Sequence, residues 1–590
     1  MTYIAPFFIS IALCVGISTT AHAQSVEITG EGVDDVLRSE IFALQGELEA
    51  PTTKFAARRQ ARRTATIALD VLNSKGWLDA KADIAVEAGP PLRPLVRINK
   101  GRRFTINTAT LKLSDDFITQ RDLPPLEVRK GQFAQADTII NEESRLLGRL
   151  KSDGFAYAKK GERLVIGDRE TASIDLTYNF TSGPKICLGD VVTHNPGRTR
   201  TKILETLSPY EFGDRYNTET IAEYKTRLSQ TQLFTFVKVE LSDTPSQELL
   251  PEASQEQVSS CQIRDVEVTL EDGSRRSVSA GASFATTEGL GLQAGYEMRN
   301  YSGRADTVNL DLQLNNLEQS LSGRWKQPLK GGYRHALTLG ASIGSIQTDA
   351  FDRDALTLNA LYERPWIKHF DVFAGIGGEI GKETQDGTEK DFQIISGRGG
   401  LRFDNTDDAL NPSQGLRVQL GAEPAYSIGD AEGQFLTTDL IARGYLGFNE
   451  DKLILASRLK VGGIAGSSFA DIPSSRRFYA GGGGSVRGYA YQAIGPRNDE
   501  NEPIGGRSLV ELSLEARLRF ANNLGMAVFV DAGEVGASET PAFSDFRMGA
   551  GLGVRYYTSF GPLRFDIATP IDPREDDESV LVYLSIGQAF

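Results

Sequence analysis

Past Gly273 the chain alternates between apolar and polar positions. Val308, Leu310, Leu312 and Leu314 are separated by Asn309, Asp311 and Gln313. Val510, Leu512, Leu514, Ala516 and Leu518 alternate with Glu511, Ser513, Glu515 and Arg517. Leu524, Met526, Val528 and Val530 alternate with Gly525, Ala527, Phe529 and Asp531. Successive side chains on a strand point to opposite faces, so each run predicts a strand with one apolar and one polar side. About sixteen such segments fit between Ser274 and Phe590, at roughly twenty residues per strand and turn, the length a tilted strand needs to cross a bilayer. No stretch after the first residues approaches the roughly 18 apolar residues of a spanning helix. A membrane protein of this texture must therefore close its strands into a barrel, because open sheet edges are too costly in hydrocarbon.

Before Gly273 the period is helical and the chain repeats. Leu72-Asn73-Ser74-Lys75-Gly76-Trp77 recurs as Leu150-Lys151-Ser152-Asp153-Gly154-Phe155, and in weaker form as Leu228-Ser229-Gln230-Thr231-Gln232-Leu233. The leading leucines are evenly spaced, 150 − 72 = 78 and 228 − 150 = 78 residues. In each copy an amphipathic helix is expected to end at the motif, with Gly76 and Gly154 supplying a left-handed cap. The order around each copy reads strand, helix, helix, strand, strand. In the first these are Val26 to Gly30, Asp34 to Gln45, Phe55 to Ser74, Lys81 to Glu87 and Leu95 to Lys100. The second opens with Phe104 to Leu113 and closes with Ser173 to Phe180; the third opens with Ile186 to Thr193 and closes with Val266 to Leu270. The implied boundaries are 24–101, 102–183, 184–273 and a barrel from 274 to 590. Arg58, Arg59, Arg62 and Arg63 cluster on the second helix, as a solvated face or as a contact for lipid phosphates or a partner protein.

Composition narrows the function. A net charge of −14 opposes nucleic-acid binding, which needs a basic footprint. Ile4 to Ile17 is an apolar run, and Ala21-His22-Ala23 before Gln24 reads as a cleavage site, so 1–23 is expected to be an export signal, although its start carries no Lys or Arg. Cys14 follows Leu13, too bulky for a lipoprotein signal. Cys187 and Cys261 remain, in an exported chain where a bridge between them would persist; two free thiols are the alternative. An enzyme is disfavoured. The mature histidines, His194, His335 and His369, are scattered, and no metalloprotease motif, nucleophile elbow or phosphate loop occurs. Nothing calls for a metal or a cofactor.

The longest interruption of the barrel pattern is 465–506. It holds Arg476-Arg477-Phe478-Tyr479-Ala480, glycines 481 to 484, and Val486-Arg487-Gly488-Tyr489. A loop this long needs a purpose. Val486 to Tyr489 resembles the inward-loop motif of the superfamily of outer-membrane assembly factors and two-partner secretion transporters. Phe403 to Asp408 with Asn411 to Gly415 resembles its mid-barrel signature. Phe529-Val530-Asp531-Ala532-Gly533 resembles the strand motif that receives the loop. The last strand, with Tyr583, Gly587 and the terminal Phe590, resembles an outer-membrane insertion signal. The repeats resemble POTRA domains. Three of them before one barrel make the chain most similar to the TamA type.

The resemblance implies an outer-membrane barrel with a periplasmic arm. It implies that Arg487 folds inward with its loop and pairs with Asp531 and Glu515, with Tyr489 and Phe529 beside them. It implies work on client outer-membrane proteins or autotransporters, an inner-membrane-anchored TamB-like partner, and contact with outer-membrane lipid. Strand addition to an exposed sheet edge would capture clients; arm domains that merely act as spacers are the alternative. The first strand, roughly Ser277 to Ala285, has small outward residues (Val278, Ala280, Ala282), and Gly587 weakens the last. That closing pair is expected to part laterally. A passive pore, a two-partner transporter and a lipid-delivery subunit are the competing readings.

Overall fold

The computed structural model describes residues 26–586 apart from 47, 90, 119–122, 247–260, 409–410, 522 and 559–560. The export signal at 1–23, Gly587 and Phe590 lie outside the described residues. Two compact units result. One is the described part of Met1–Asp190 with Tyr210–Ile221 and Ser242–Asp265. The other is Val191–Pro209, Ala222–Leu241 and the described part of Val266–Phe590.

The N-terminal elements are mixed α/β, consistent with POTRA domains. In the first sheet Glu27–Thr29 runs parallel to Arg93–Asn99, which pairs antiparallel with Lys81–Glu87. A parallel pair needs a helical crossover, here Asp35–Gln45 and Lys54–Ser74. Both helices start on side-chain caps: Asp34 accepts from the Leu37 N–H at 2.8 Å and Thr53 from the Ala56 N–H at 3.1 Å. Val26, Ile41, Ala61, Ala68 and Val96 fill the space between helices and sheet. The second sheet again pairs its outer elements in parallel, Thr105–Leu113 with Ser173–Thr181. It buries Phe104, Ile106, Leu146 and Tyr178 under one helix, Ala136–Ser152. The second helix expected in this copy is absent among the described residues. Pro124 and Pro125 fall where it would run, and proline supplies no helical N–H. A third sheet orders Ile186–His194, Gln262–Asp272 and Phe234–Leu241. The sulfurs of Cys187 and Cys261 are bonded, with Cα atoms 5.7 Å apart.

The repeat has a conformational cause. Gly76 and Gly154 sit at φ +88° and +102°, and 78 residues beyond Gly154 (232 − 154) Gln232 takes φ +56° without a glycine's freedom. Each of the first two glycines lets the next residue turn back: Trp77 donates to the Leu72 carbonyl at 2.9 Å and Phe155 to that of Leu150 at 3.1 Å.

From Arg276 to Ile586, sixteen antiparallel strands close into a barrel, each hydrogen-bonded to its sequence neighbour. Met526 and Val528 point outward and are exposed, whereas Ala527 and Phe529 between them are buried. The outward face carries Leu310, Leu312, Ile376, Ile380, Leu512 and Leu514, an apolar coat matched to lipid. Among the described residues no helix is long and apolar enough to cross a membrane; this chain crosses with strands.

The ladders are uneven. The last strand, Leu581–Ile586, is in register along its length with Ala568 to Leu563 of the strand before it. Against the first strand, Arg276–Ala285, only Phe284 opposite Leu584 and Ala285 opposite Tyr583 are in ladder register among the described residues. Thr286 extends the contact by exchanging two hydrogen bonds with Val582, at 3.1 and 2.9 Å.

Candidate functional site

Between Leu453–Gly466, the eleventh barrel strand, and Ser508–Arg519, the twelfth, the chain enters the barrel. Val486, Arg487 and Tyr489 are buried. Arg487 is the centre of a knot of charges. Its Nε and Nη2 grip both oxygens of Asp531 at 2.7 and 3.0 Å, and its backbone N–H reaches the same carboxylate at 3.1 Å. Nη1 donates to Glu515 at 2.9 Å and to Asp566 at 3.2 Å. The guanidinium plane lies 3.4 Å above the centre of the Phe529 ring. Register explains the convergence. Glu515 stands opposite Phe529, and Ser513 opposite Asp531, on the twelfth and thirteenth strands. The inward positions of the pair thus offer two carboxylates and a ring to one planar fork.

The neighbouring motif residues make room. Gly488 sits at φ +100°, and a Cβ there would lie 2.8 Å from the Thr569 carbonyl oxygen. A Cβ on Gly533 would come within 2.6 Å of the Val486 side chain. Tyr489 donates to the carbonyls of Met548 and Asp572 at 3.3 and 3.1 Å. Tyr583, on the last strand, is buried, and its hydroxyl accepts from the Gly488 N–H at 3.2 Å. The Gly483 N–H donates to Glu288, just past the first strand, at 3.2 Å.

Several participants escaped the sequence reading. Asp566 is a third carboxylate in the knot, and Arg555 and Arg564 bind it from the fourteenth and fifteenth strands, Arg547–Thr558 and Gly561–Pro570. Arg517 and Glu511, by contrast, are legible in the sequence as sharing the face of Glu515 and able to change its pairing, and Arg517 holds Glu515 at 2.8 Å. Glu511, on the same face, engages Arg458 at 2.9 Å and Ser485 at 2.5 Å instead. On the fourteenth strand Gly549 and Gly551 would bring a Cβ within 1.9 Å of the Arg487 carbonyl oxygen and 2.4 Å of the Phe529 ring. The signal was present as the inward row Gly549, Gly551 and Gly553, a groove cut into one wall.

The root of the loop has its own anchor on the seventh strand, Phe370–Gln385. Glu383 accepts the N–H groups of Ser474 and Ser475 at 2.7 and 3.2 Å. Arg476 pairs with Glu379 at 2.5 Å and Glu423 at 3.4 Å. The mid-barrel signature is elsewhere. Asp407 ties its own turn, taking the N–H groups of Ser413 and Gln414 at 2.9 and 3.1 Å, and Asp404 pairs with Arg417 at 2.7 Å.

Both oxygens of Asp531, Glu515 and Asp566 are engaged by guanidinium groups. Such a set fixes a loop; it leaves no carboxylate oxygen unoccupied for acid or base work. Among the described residues no group of His, Cys, Asp and Glu is arranged to hold a metal ion.

Comparison with known proteins agrees with this architecture. The chain is 24% identical over 481 residues to the outer membrane protein assembly factor BamA of Nitratidesulfovibrio vulgaris, covering 78% of this chain and 58% of that protein. It is 22% identical over 569 residues to BamA of Neisseria meningitidis serogroup B, covering 84% and 68%. The chain therefore spans little more than half of the first relative. The crystal structure of BamA from Haemophilus ducreyi lacking POTRA domains 1-3 superposes with a TM-score of 0.67 at 17% identity, covering 82% of this chain and 100% of that one. The Omp85 superfamily domain matches residues 273–590, and with a sixteen-strand barrel closed over an inward loop, this outer-membrane protein belongs to the Omp85 superfamily.

Proposed function

We propose that the chain inserts or exports client β-barrel proteins or autotransporters by strand addition at the seam between its first and last barrel strands. The observation that carries this reading is the placement of the loop tip. It touches Glu288 beside the first strand and Tyr583 in the last, on either side of the ladder with the least register among the described residues. Unpaired backbone in lipid is costly, so edges freed at that ladder would template an incoming strand. Val486 to Tyr489 act as a lock seated on Glu515, Phe529, Asp531 and Gly533, and its seat sets the state of the seam. Residues 24–101, 102–183 and 184–273 serve as three periplasmic POTRA domains that receive clients. The three-domain arm favours a TamA-type role with a TamB-like inner-membrane-anchored partner, and delivery of lipid is a second cargo within that role. A passive pore is disfavoured, because the loop that would have to leave the lumen is ion-paired at its root and its tip.

Cysteines placed at Phe284 and Leu584, which face each other across the seam, test the gate. Oxidising them is expected to abolish client insertion, and reduction to restore it. Normal insertion with the bridge verified by mass overturns the reading. Purification with bound partners then separates TamA-type from other roles.

A further inference from the structure

The helix Lys54–Ser74 buries Ala57, Ala61, Thr64, Ala65, Ala68, Val71 and Leu72 against its sheet. Its other face exposes Lys54, Arg58, Arg59, Arg62 and Arg63, together with Phe55 at 77% exposure. Local energetics do not favour this arrangement. The basic residues begin at the positive end of the helix dipole, and no acidic residue occupies the first turn. Lys54 with Arg58, Arg58 with Arg62, and Arg59 with Arg63 are like charges four residues apart, which repel. Among the described residues none of the four guanidinium groups has a hydrogen bond or an ion pair, in a chain whose net charge is −14. An anion from outside would relieve the repulsion that the fold leaves in place.

We infer that this face docks on an anionic phospholipid surface, the guanidinium forks on lipid phosphates and Phe55 among the headgroups. Arginine matches phosphate with two parallel donors. A basic helical face bearing an aromatic wedge fits a lipid interface. An acidic protein could neutralise the charges, but it would give the phenyl ring no apolar layer to enter. The surface lies on the helix Lys54–Ser74 and not on the two barrel strands that form the proposed seam, so failure of the vesicle test and failure of the seam test are distinguishable.

The full chain, held in zwitterionic nanodiscs, is mixed with separate vesicles and floated. Vesicles rich in phosphatidylglycerol are expected to capture it, and pure phosphatidylcholine vesicles to leave it behind. Each arginine at an anionic surface contributes about fivefold at low ionic strength. Replacing all four (Arg58→Gln, Arg59→Gln, Arg62→Gln and Arg63→Gln) is therefore expected to reduce capture at low ionic strength by on the order of several hundredfold, with unchanged circular dichroism. Phe55→Ser is expected to weaken capture further while leaving its salt dependence intact. Equal capture by the two vesicle types, or undiminished capture of the quadruple variant, overturns the inference. Displacement by soluble polyglutamate with no effect of Phe55→Ser overturns it too, in favour of an acidic protein partner.

Discussion

The small N-terminal sheets and the barrel are written in the same strand alphabet and filled with opposite chemistry. Under the second sheet lie Phe104, Ile106, Leu146 and Tyr178. Inside the barrel lie Arg487, Arg517 and Arg555 with Glu515, Asp531 and Asp566, while leucine and isoleucine face outward. The difference follows from what surrounds each structure. In water an apolar interior is the driving force. In lipid the outer face takes the apolar residues, and the interior must satisfy every charge it encloses.

Breaking the ionic interior is expected to have the largest effect. Arg487→Ala leaves Asp531 without the guanidinium that grips both its oxygens, and removing one partner of a buried pair costs about 3–5 kcal/mol. The loop tip should become protease-sensitive and client insertion should fail; a variant with a protected loop and normal insertion contradicts the assigned lock. Breaking the apolar interior comes next. Leu146→Ala is expected to cost about 2–5 kcal/mol, read as faster amide exchange in Ala136–Ser152 with the heat-modifiable migration of the barrel unchanged. Ile376→Arg, on the lipid face, should reverse that pattern, costing about 2–4 kcal/mol near the bilayer midplane and lowering the temperature at which the barrel unfolds on a gel.

Smaller effects sharpen the contrast. The Cys187–Cys261 bridge closes a sequence separation of 74 residues. Cys187→Ser with Cys261→Ser is expected to remove about 2–4 kcal/mol, visible as exchange in Ile186–His194 and not in the barrel. The smallest is titratable. Burial raises the pKa of Glu142, but hydrogen bonds from Arg145 and the Glu127 N–H outweigh it and hold the carboxyl below its ordinary value. A depressed folded pKa gives stability that is present above the unfolded value, about 4.3, and is lost as pH falls through the folded one. Glu142→Gln should flatten that acid limb of the second sheet's stability by lowering the neutral plateau towards the acid value.

Alternation made the barrel legible because it reports which way each side chain points, and the even spacing of Leu72, Leu150 and Leu228 exposed the repeat. Arg487, Glu515 and Asp531 could be paired on paper because the two carboxylates lie on consecutive strands. Asp566, Arg555 and the root carboxylates Glu379 and Glu383 could not. A period of two gives the face of a residue but not which of sixteen walls a long loop will meet. The helix that the second copy lacks among the described residues was marked by Pro124 and Pro125, against the expectation from the repeat.

The inward loop is tied at one end to the seventh strand and at the other to strands twelve, thirteen and fifteen. A rope fastened to opposite sides of a hoop sets how far the hoop can widen. The cross-section of the cylinder is therefore coupled to ionic contacts deep in its lumen, and a change of girth must stretch the rope or unfasten one of its knots.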